Sequence, residues 1–181
     1  MLDVVVGLGS SLGARRRFVR LGVAALAADP RCQVVVASPL YASPPVGAAR
    51  CFFINAAARV RWRGDATSLM AACLAIEARA GRRRGVRFGD RTLDLDLLWS
   101  PGLTLDIPGP PRVILPHPRL VERRFALLPL LDVAPGARDP RDGRPLRARL
   151  AAARGPAAAL DALAAARSPV TQRPTAQRSA P

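Results

Sequence analysis

The sequence contains no lysine, and this absence excludes several kinds of site. All 28 basic residues are arginines, against 13 acidic residues, and the formal net charge is +15. Without a lysine amine the chain can neither form a Schiff base nor build the phosphate-binding loop that ends in lysine. The excess of arginine and alanine indicates a coding bias, so we discount part of the charge, but anionic partners are still expected.

Cysteines, long apolar runs and a basic leader are also scarce or missing. The three cysteines lie in apolar surroundings without C-x-x-C spacing, which predicts neither a disulfide framework nor a zinc site. No apolar run reaches the roughly 18 residues that a membrane span needs, and the first residues lead directly into an apolar strand. We therefore expect a cytoplasmic protein without membrane contact. Its 181 residues, half of them hydrophobic, are enough for one domain with a packed core.

The hydrophobic pattern predicts an α+β domain. Val4–Val6 form a strand that ends at the turn Gly7-Leu8-Gly9-Ser10, and this run fails as a dinucleotide fingerprint because its third glycine comes one place late. The later predicted elements are a helix at 15–28, strands at 32–37 and 52–62, a helix from Ala66 to about Ala80 capped by Asp65, and a strand at 91–98. The order βαββαβ is typical of ferredoxin-like domains, in which helices cover an antiparallel sheet. Further on we expect a short helix at 122–131 and an alanine-rich segment from Ala151.

The run Arg91-Thr92-Leu93-Asp94-Leu95-Asp96 places two acids on one face of a strand. Their carboxylates project about 6–7 Å apart, near enough to hold a hard cation such as Mg²⁺. The same pair could instead line the solvent face of an amphipathic strand. The preceding arginines favour the metal, because carboxylates beside guanidinium groups suit phosphoryl transfer without lysine, although these arginines could also form a solvated loop. They are Arg79, Arg82, Arg83, Arg84, Arg87 and Arg91.

For two single residues the sequence allows either a structural or a functional role. Glu77 lies in the last turn of the second predicted helix, where the helix dipole disfavours an acid. Either a neighbouring arginine compensates it, or it orients a nucleotide or the arginine loop. His117, the only histidine, lies between two prolines. It is either structural or part of a second phosphate-contacting edge, whose other candidate members are Arg112, Arg119, Arg123 and Arg124.

Several short segments occur in a fixed order along roughly residues 1–150. They are Gly9-Ser10, Tyr41, Ser43-Pro44-Pro45-Val46-Gly47, Phe53-Ile54-Asn55-Ala56-Ala57, Ile76-Glu77, Gly81-Arg82, the R-T-L-D-L-D run from Arg91, and Pro116-His117. This set resembles the 6-hydroxymethyl-7,8-dihydropterin pyrophosphokinase family of folate biosynthesis, and the R-T-L-D-L-D run is its most specific part. The resemblance implies a ferredoxin-like fold in an α-β-α arrangement. Residues 1–150 would form the pyrophosphokinase domain, and 151–181 an alanine-rich C-terminal helix and frayed tail.

The resemblance also implies an activity and a set of site residues. The enzyme would be a transferase that moves pyrophosphate from ATP to the pterin hydroxymethyl group and leaves AMP. Asp94 and Asp96 look like the ligands of two Mg²⁺ ions, and Asp96 could also accept the hydroxyl proton. Arg82, Arg84 and Arg91 look catalytic, the first two on a mobile loop. The nucleotide contacts would be Glu77, Arg84, Arg91, Arg112, His117 and Arg123; the pterin contacts would be Ser43, Pro44, Val46, Phe53, Asn55 and Phe125.

Five features depart from the usual pattern of that family. Ser11 stands where asparagine is usual, and Asp90 stands where a proline commonly precedes the arginine, which this acid could partly neutralise. The loop between Arg84 and Arg87 is one residue short. Phe53 replaces the commoner tyrosine, and Pro118 removes a backbone donor beside the histidine. None of these departures affects the two expected metal ligands.

Other functions stay open at this point. The net charge also suits a nucleic-acid-binding module on a ferredoxin-like sheet, but aromatic residues make up only 4% of the chain and the acidic pair would repel phosphate. A related phosphoryl-transfer enzyme with another acceptor, or an inactive copy, is a further alternative. The intact Asp94, Asp96, Glu77 and Asn55 argue against decay. We expect a monomer that binds small molecules and no specific nucleic acid.

Overall fold

The computed structural model describes residues 1–45, 47–82 and 89–160. The helices are α1 (Arg15–Ala28), α2 (Ala66–Arg79) and α3 (Arg124–Val133). The strands are β1 (Leu2–Ser10), β2 (Cys32–Ala37), β3 (Tyr41–Ser43), β4 (Phe53–Trp62), β5 (Asp94–Trp99), β6 (Leu105–Ile107), β7 (Val113–Leu115) and β8 (Ala158–Ala159). Short 3-10 turns lie at Leu120–Glu122 and Leu146–Arg149. In the described ranges, no helix is both long and apolar enough to span a membrane.

An antiparallel sheet forms the centre of the protein. Its strands follow the order β5-β1-β4-β3-β8, and β2 also pairs with β4. The two central strands, β1 and β4, pair along their whole length, from Leu2 opposite Trp62 to Ser10 opposite Ile54. Between β2 and β3, Ser38 continues the pairing, because its backbone N–H donates to the Ala57 carbonyl (2.8 Å) and its hydroxyl accepts from the Ala57 N–H (2.9 Å).

Helices cover both faces of this sheet. Alternate residues of β1 point to opposite faces: Val4, Val6 and Leu8 belong to a core that includes residues of α1 and α2, whereas Val5 packs with Leu127 and other residues of α3. The α-β-α arrangement and the ferredoxin-like α+β class are thereby confirmed. The second predicted helix also forms as expected, since the Asp65 carboxylate accepts a hydrogen bond from the Ser68 N–H (2.7 Å) and caps it.

The first strand is longer than its sequence pattern predicts. β1 does not end at the turn expected from Gly7 but continues through Ser10. Gly7 is needed for close packing, because a Cβ at this position would lie only 2.9 Å from Leu98 Cδ1. The strand expected from Arg91 is, by contrast, shorter than predicted, because it begins only at Asp94.

The described part of the alanine-rich segment differs from the helix expected there. Ala158 and Ala159 form β8, which pairs with Ala42 and Tyr41 at the edge of β3. The Leu160 N–H extends this pairing with a hydrogen bond to the Leu40 carbonyl. The helix propensity of alanine is overridden here because an open sheet edge offers backbone partners. The rest of the expected helix, 161–181, lies outside the described residues.

One buried phenol allows a direct test of this packing. Tyr41 is the only tyrosine, and its hydroxyl donates a hydrogen bond to Asp132 Oδ2 (2.7 Å) on α3. Burial and the Asp132 carboxylate raise the pKa of Tyr41 to about 12. We therefore expect near-ultraviolet absorbance to show phenol ionisation near pH 12 in the folded protein, against about 10 in the unfolded chain. A folded-state midpoint near 10 would contradict the buried hydrogen bond.

The same shift makes stability depend on pH. Because the folded-state pKa of Tyr41 is raised, its contribution is complete below about pH 10 and is lost as the pH rises toward 12. Replacing Tyr41 with phenylalanine should remove this dependence and lower the free energy of unfolding by about 1 kcal/mol at neutral pH, measured by urea denaturation.

Candidate active site

A cleft of about 640 Å³ opens over the glycines of β1, on the face of the sheet that also carries α3. Most of the site residues expected from sequence lie together in its lining. They are Ser43, Phe53, Asn55, Arg82, Arg91, Asp94, Asp96, His117, Arg123 and Phe125. With the glycines of β1 included, residues from four strands and from the start of α3 are thus brought to one site.

Five other expected residues do not line this cleft or cannot be assigned to it. Pro44 follows β3 without lining the cleft. Arg112 lies just before β7, where its guanidinium forms two hydrogen bonds with the carboxylate of Asp106 (2.8 and 2.6 Å). Glu77 lies beneath the cleft and is 3% exposed. Val46 and Arg84, together with the shortened loop, lie outside the described residues.

Gly9 forms part of the cleft floor between the two halves of the site. A Cβ at this position would lie 3.5 Å from Asn55 Oδ1 and 4.0 Å from Asp94 Cβ. The missing side chain therefore leaves space between an amide on one side and an acid on the other. Sequence reasoning assigned this glycine to a turn. The alternation of Gly7 and Gly9 with apolar residues was the signal for a strand that passes under a ligand.

Asp94 is held by two arginines. Arg82 Nη1 lies 2.5 Å from Asp94 Oδ1, and Arg91 Nη1 lies 2.8 Å from Asp94 Oδ2. Arg82 Nη1 also lies 2.5 Å from Glu77 Oε1, which in addition accepts a hydrogen bond from the Leu95 N–H (2.6 Å). The acid at the end of α2 is therefore compensated by a neighbouring arginine and by the backbone of β5, as the structural interpretation of Glu77 predicts.

The surroundings of Asp96 disfavour its ionised form. Burial and the negative charges of Asp94 and Glu77 raise its pKa to about 7, although Arg123 and Arg91 oppose the shift. Within the described ranges no cluster of three or more histidine, cysteine or acidic side chains could hold a metal ion. Asp94 and Asp96 both line the cleft and could supply two carboxylate ligands, so a hard divalent cation would need its other oxygen ligands from substrate and water.

One wall of the cleft is basic and contains the only histidine. His117 Nδ1 accepts a hydrogen bond from the Arg119 N–H (3.1 Å), so Nε2 carries the hydrogen of the neutral ring. Arg123 Nε is buried and has no hydrogen-bond partner among the described residues, and its guanidinium carbon lies 5.7 Å from the Phe125 ring centroid. This wall offers donors to an anionic ligand. Arg119, which the sequence assigned only to a general basic edge, also lines it.

The neutral state of His117 can be measured directly. Burial and the nearby Arg123 and Arg119 lower its pKa to about 4. NMR titration of the single imidazole should therefore show no protonation near the usual value of about 6.5. Because the unfolded chain takes up a proton below that value and the folded chain does not, the free energy of unfolding should decrease as the pH falls from about 6.5 to 4. A midpoint near 6.5 would show that the ring is solvated.

A polar and aromatic wall completes the site. Asn55 is 5% exposed, and its Nδ2 donates a hydrogen bond to Ser43 Oγ (2.9 Å). That contact leaves the amide oxygen and one N–H of Asn55 for a ligand. Phe53 and Phe125 line the same cleft, and the Arg91 guanidinium carbon lies 5.9 Å from the Phe53 ring centroid. A flat ring with polar edges fits such a wall.

The protein has an α+β fold with one cleft that contains two kinds of surface. One wall suits a flat ring, and the neighbouring carboxylates and arginines suit a phosphate group and its metal. Residues 5–135 match the family described as 7,8-dihydro-6-hydroxymethylpterin-pyrophosphokinase (HPPK). The chain belongs to this family, and the resemblance expected from its motifs is confirmed.

Curated relatives and solved structures agree with this assignment. A protein of Pseudomonas aeruginosa named 2-amino-4-hydroxy-6-hydroxymethyldihydropteridine pyrophosphokinase is 41% identical over 150 residues, which cover 82% of this chain and 90% of that protein. A Methylorubrum extorquens protein of the same name is 37% identical, over 75% of this chain and 84% of that protein. The crystal structure of wild-type Plasmodium falciparum HPPK-DHPS has a TM-score of 0.64 and 12% identity, covers 83% of this chain, and supports the fold. This chain spans only 44% of that solved chain.

Proposed function

We propose that the chain transfers pyrophosphate from ATP to the hydroxymethyl group of 6-hydroxymethyl-7,8-dihydropterin, giving AMP and the pterin diphosphate, as a step of tetrahydrofolate biosynthesis. One observation carries the proposal: a single cleft contains the aromatic and amide wall and, across Gly9, the acids and arginines. Membership of the HPPK family and the names of the relatives support the same activity.

The pterin would occupy the wall formed by Phe53, Asn55, Ser43 and Phe125. Two aromatic rings can stack on a flat heterocycle, and a buried amide can both donate to and accept from its polar edge. The Ser43 hydroxyl, hydrogen-bonded to Asn55, fixes the direction of that amide. Pro44 and Val46 stay predicted members of this pocket.

The ATP phosphates would occupy the basic half of the cleft. Arg82, Arg91 and Arg123 can contact phosphate oxygens, and the neutral His117 can donate from Nε2. Arg82 and Arg91 would also stabilise the charge that develops as the pyrophosphoryl group moves. The roles of Glu77, Arg84 and Arg112 toward the nucleotide stay predictions, and Arg112 would have to leave its contact with Asp106 to take part.

Asp94 and Asp96 would be the protein ligands of two Mg²⁺ ions. Asp94 already attracts two cationic groups, and the raised pKa of Asp96 indicates a carboxylate whose negative charge is only partly compensated. When bound, the metal would neutralise phosphate charge and align the transferred group. The hydroxymethyl oxygen would form a bond to the β-phosphorus as the bond to the α-phosphate oxygen of AMP breaks. The hydroxyl proton could pass to Asp96, although a carboxylate that binds metal is a weak base.

The activity is tested by AMP release from ATP and Mg²⁺, with and without 6-hydroxymethyl-7,8-dihydropterin, after chromatographic separation of the products. Pterin-dependent AMP together with a pyrophosphorylated pterin would establish substrate and reaction, and loss of both with a chelator would establish the metal requirement. AMP that forms equally without the pterin would point to another acceptor. No AMP at all, with normal pterin binding, would indicate an inactive copy.

The same proposal includes a cytoplasmic monomer with no specific nucleic-acid partner. Six large hydrophobic side chains are exposed in the described part of the chain, and several of them lie in separate elements, such as Leu21 in α1 and Val36 in β2. Such scattered exposure is normal for a monomer. Sedimentation gives the oligomeric state. Binding to DNA or RNA that persists at high salt would contradict the absence of a specific nucleic-acid site.

A further inference from the structure

Asp90 joins two segments that are far apart in the sequence. Its Oδ2 accepts a hydrogen bond from the Arg50 N–H (3.1 Å), and its Oδ1 accepts one from the Cys51 N–H (3.2 Å). Sequence reasoning expected this acid to neutralise Arg91 in part. Its carboxylate oxygens instead bind two successive amides just before β4. These bonds lower the pKa of Asp90, so the group is ionised at neutral pH and the contacts are charge-assisted.

The segment that Asp90 contacts leads directly to the aromatic wall of the cleft. Phe53 follows Cys51 by two residues and begins β4. Apolar burial contributes little to holding this segment, since the Phe52 side chain is 59% exposed. Polar contacts hold its backbone instead: Asp90 binds the amides of residues 50 and 51, and Arg15 Nη1 donates to the Phe52 carbonyl (2.9 Å).

Arg91, the neighbour of Asp90, is anchored mainly through Ser11 and Leu12, and the Ser11 hydroxyl also interacts with the Asp90 carboxylate. The Arg91 N–H donates to Ser11 Oγ (2.9 Å), and its carbonyl accepts from the backbone N–H groups of Ser11 and Leu12 (2.9 and 3.1 Å). Its guanidinium contacts Asp94 and lies over the Phe53 ring. These contacts form a closed path. Asp90 binds the Cys51 amide, and Phe53, two residues further on, lies against the guanidinium of Arg91. Arg91 in turn follows Asp90 in the chain. Loss of Asp90 would release the Phe53 side and remove the contact with the Ser11 hydroxyl, whereas two backbone hydrogen bonds to the Arg91 carbonyl and the ion pair with Asp94 would still hold Arg91.

We propose that Asp90 is a positioning residue, which fixes the segment before β4 and thereby sets Phe53 against Arg91, so that it controls affinity for the flat ring of the acceptor. The proposal rests on the proposed function for the identity of that acceptor. It places the effect of Asp90 on the pterin half of the cleft, because Arg91 in the phosphate half keeps its backbone hydrogen bonds and its ion pair with Asp94 when Asp90 is lost.

The test compares Asp90→Ala, Asp90→Asn and Asp65→Ala with the unmodified chain. Asp65→Ala is the matched control, because it also removes a carboxylate bound to a backbone amide, at the α2 cap away from the cleft. Calorimetry measures the Kd of 6-hydroxymethyl-7,8-dihydropterin and of a non-hydrolysable ATP analogue. NMR exchange of the Arg50 and Cys51 amides reports the contact itself, and the thermal midpoint reports stability.

We expect Asp90→Ala to raise the pterin Kd about tenfold, through loss of two charge-assisted hydrogen bonds, and to change the Kd of the ATP analogue less than about twofold. Asp90→Asn keeps one acceptor oxygen and should fall between. Faster exchange at residues 50 and 51 should accompany the effect, and Asp65→Ala should lower the thermal midpoint without changing either Kd. An unchanged pterin Kd, or equal losses for both ligands, would overturn the proposal.

This design separates the inference from the proposed function. If the unmodified chain fails to bind the pterin, the proposed function is wrong. The exchange rates of the Arg50 and Cys51 amides then decide alone whether Asp90 fixes the segment. Unchanged exchange in Asp90→Ala would overturn the positioning role in that case too.

Discussion

Replacing Asp96 with asparagine is expected to lower kcat/KM at least about a thousandfold, because the change removes one of the two carboxylates in the phosphate half of the cleft. The environment of Asp96 shows why its charge matters: burial, Asp94 and Glu77 raise its pKa to about 7, so a cation bound beside it would favour the ionised form. Asparagine keeps the shape of the side chain and loses the charge. Rates of AMP formation at saturating Mg²⁺ measure the effect.

Asp29→Asn provides the matched control for this experiment. Asp29 forms its ion pair with Arg31 outside the lining of the cleft, so this variant should keep the unmodified rate. Circular dichroism and the thermal midpoint should show that Asp96→Asn is folded, since asparagine preserves the packing at this position. A kcat/KM within about tenfold of the unmodified value would disprove the metal assignment.

Asn55→Ala is expected to raise the pterin Kd about a hundredfold, or about 2.7 kcal/mol, and to leave the Kd of an ATP analogue nearly unchanged. Asn55 is 5% exposed and hydrogen-bonded to Ser43, so alanine removes the oriented amide and leaves the serine hydroxyl unpaired in the same buried place. A site built to hydrogen-bond the edge of a ring discriminates strongly when such a partner is lost. Calorimetric titration of each ligand measures both constants.

Ser43→Ala separates the amide from its support. This variant removes the hydrogen bond that orients Asn55 but keeps the amide itself, so its pterin Kd should rise by about tenfold, less than in Asn55→Ala. Equal losses for the pterin and the ATP analogue in Asn55→Ala would show that this wall does not form the pterin pocket. A loss confined to the ATP analogue would reverse the assignment of the two halves of the cleft.

Helix bounds and strand faces followed closely from local sequence rules. α1 has the predicted bounds, and α2 begins at the predicted cap on Asp65 and ends within about a residue of Ala80. The alternation from Leu93 to Leu97 placed the leucines in one core and the acids on the opposite face. These features depend on residues within a few positions of each other, where side-chain periodicity and capping act directly.

Elements formed by pairing with distant chain could not be predicted in the same way. β1 continues through Gly7 and Gly9 because β4 and β5 pair on both of its sides. β8 forms because the edge of β3 accepts it, against the helix propensity of its alanines. Neither partner lies near these residues in the sequence. The alternation of Gly7 and Gly9 with apolar residues allows a strand, but it does not show which distant strands pair with it.

The sequence by itself determined the family, the ferredoxin-like α+β class and the face of β5 that carries Asp94 and Asp96, because ordered motifs and short-range periodicity specify them. Only the tertiary structure decided which charges meet. It pairs Arg112 with Asp106 outside the cleft, joins Arg82 to both Glu77 and Asp94, and turns Asp90 toward the amides before β4. In a chain with many arginines, composition offers many possible partners for each carboxylate. The pairs that form are those that the packed backbone brings within hydrogen-bond distance.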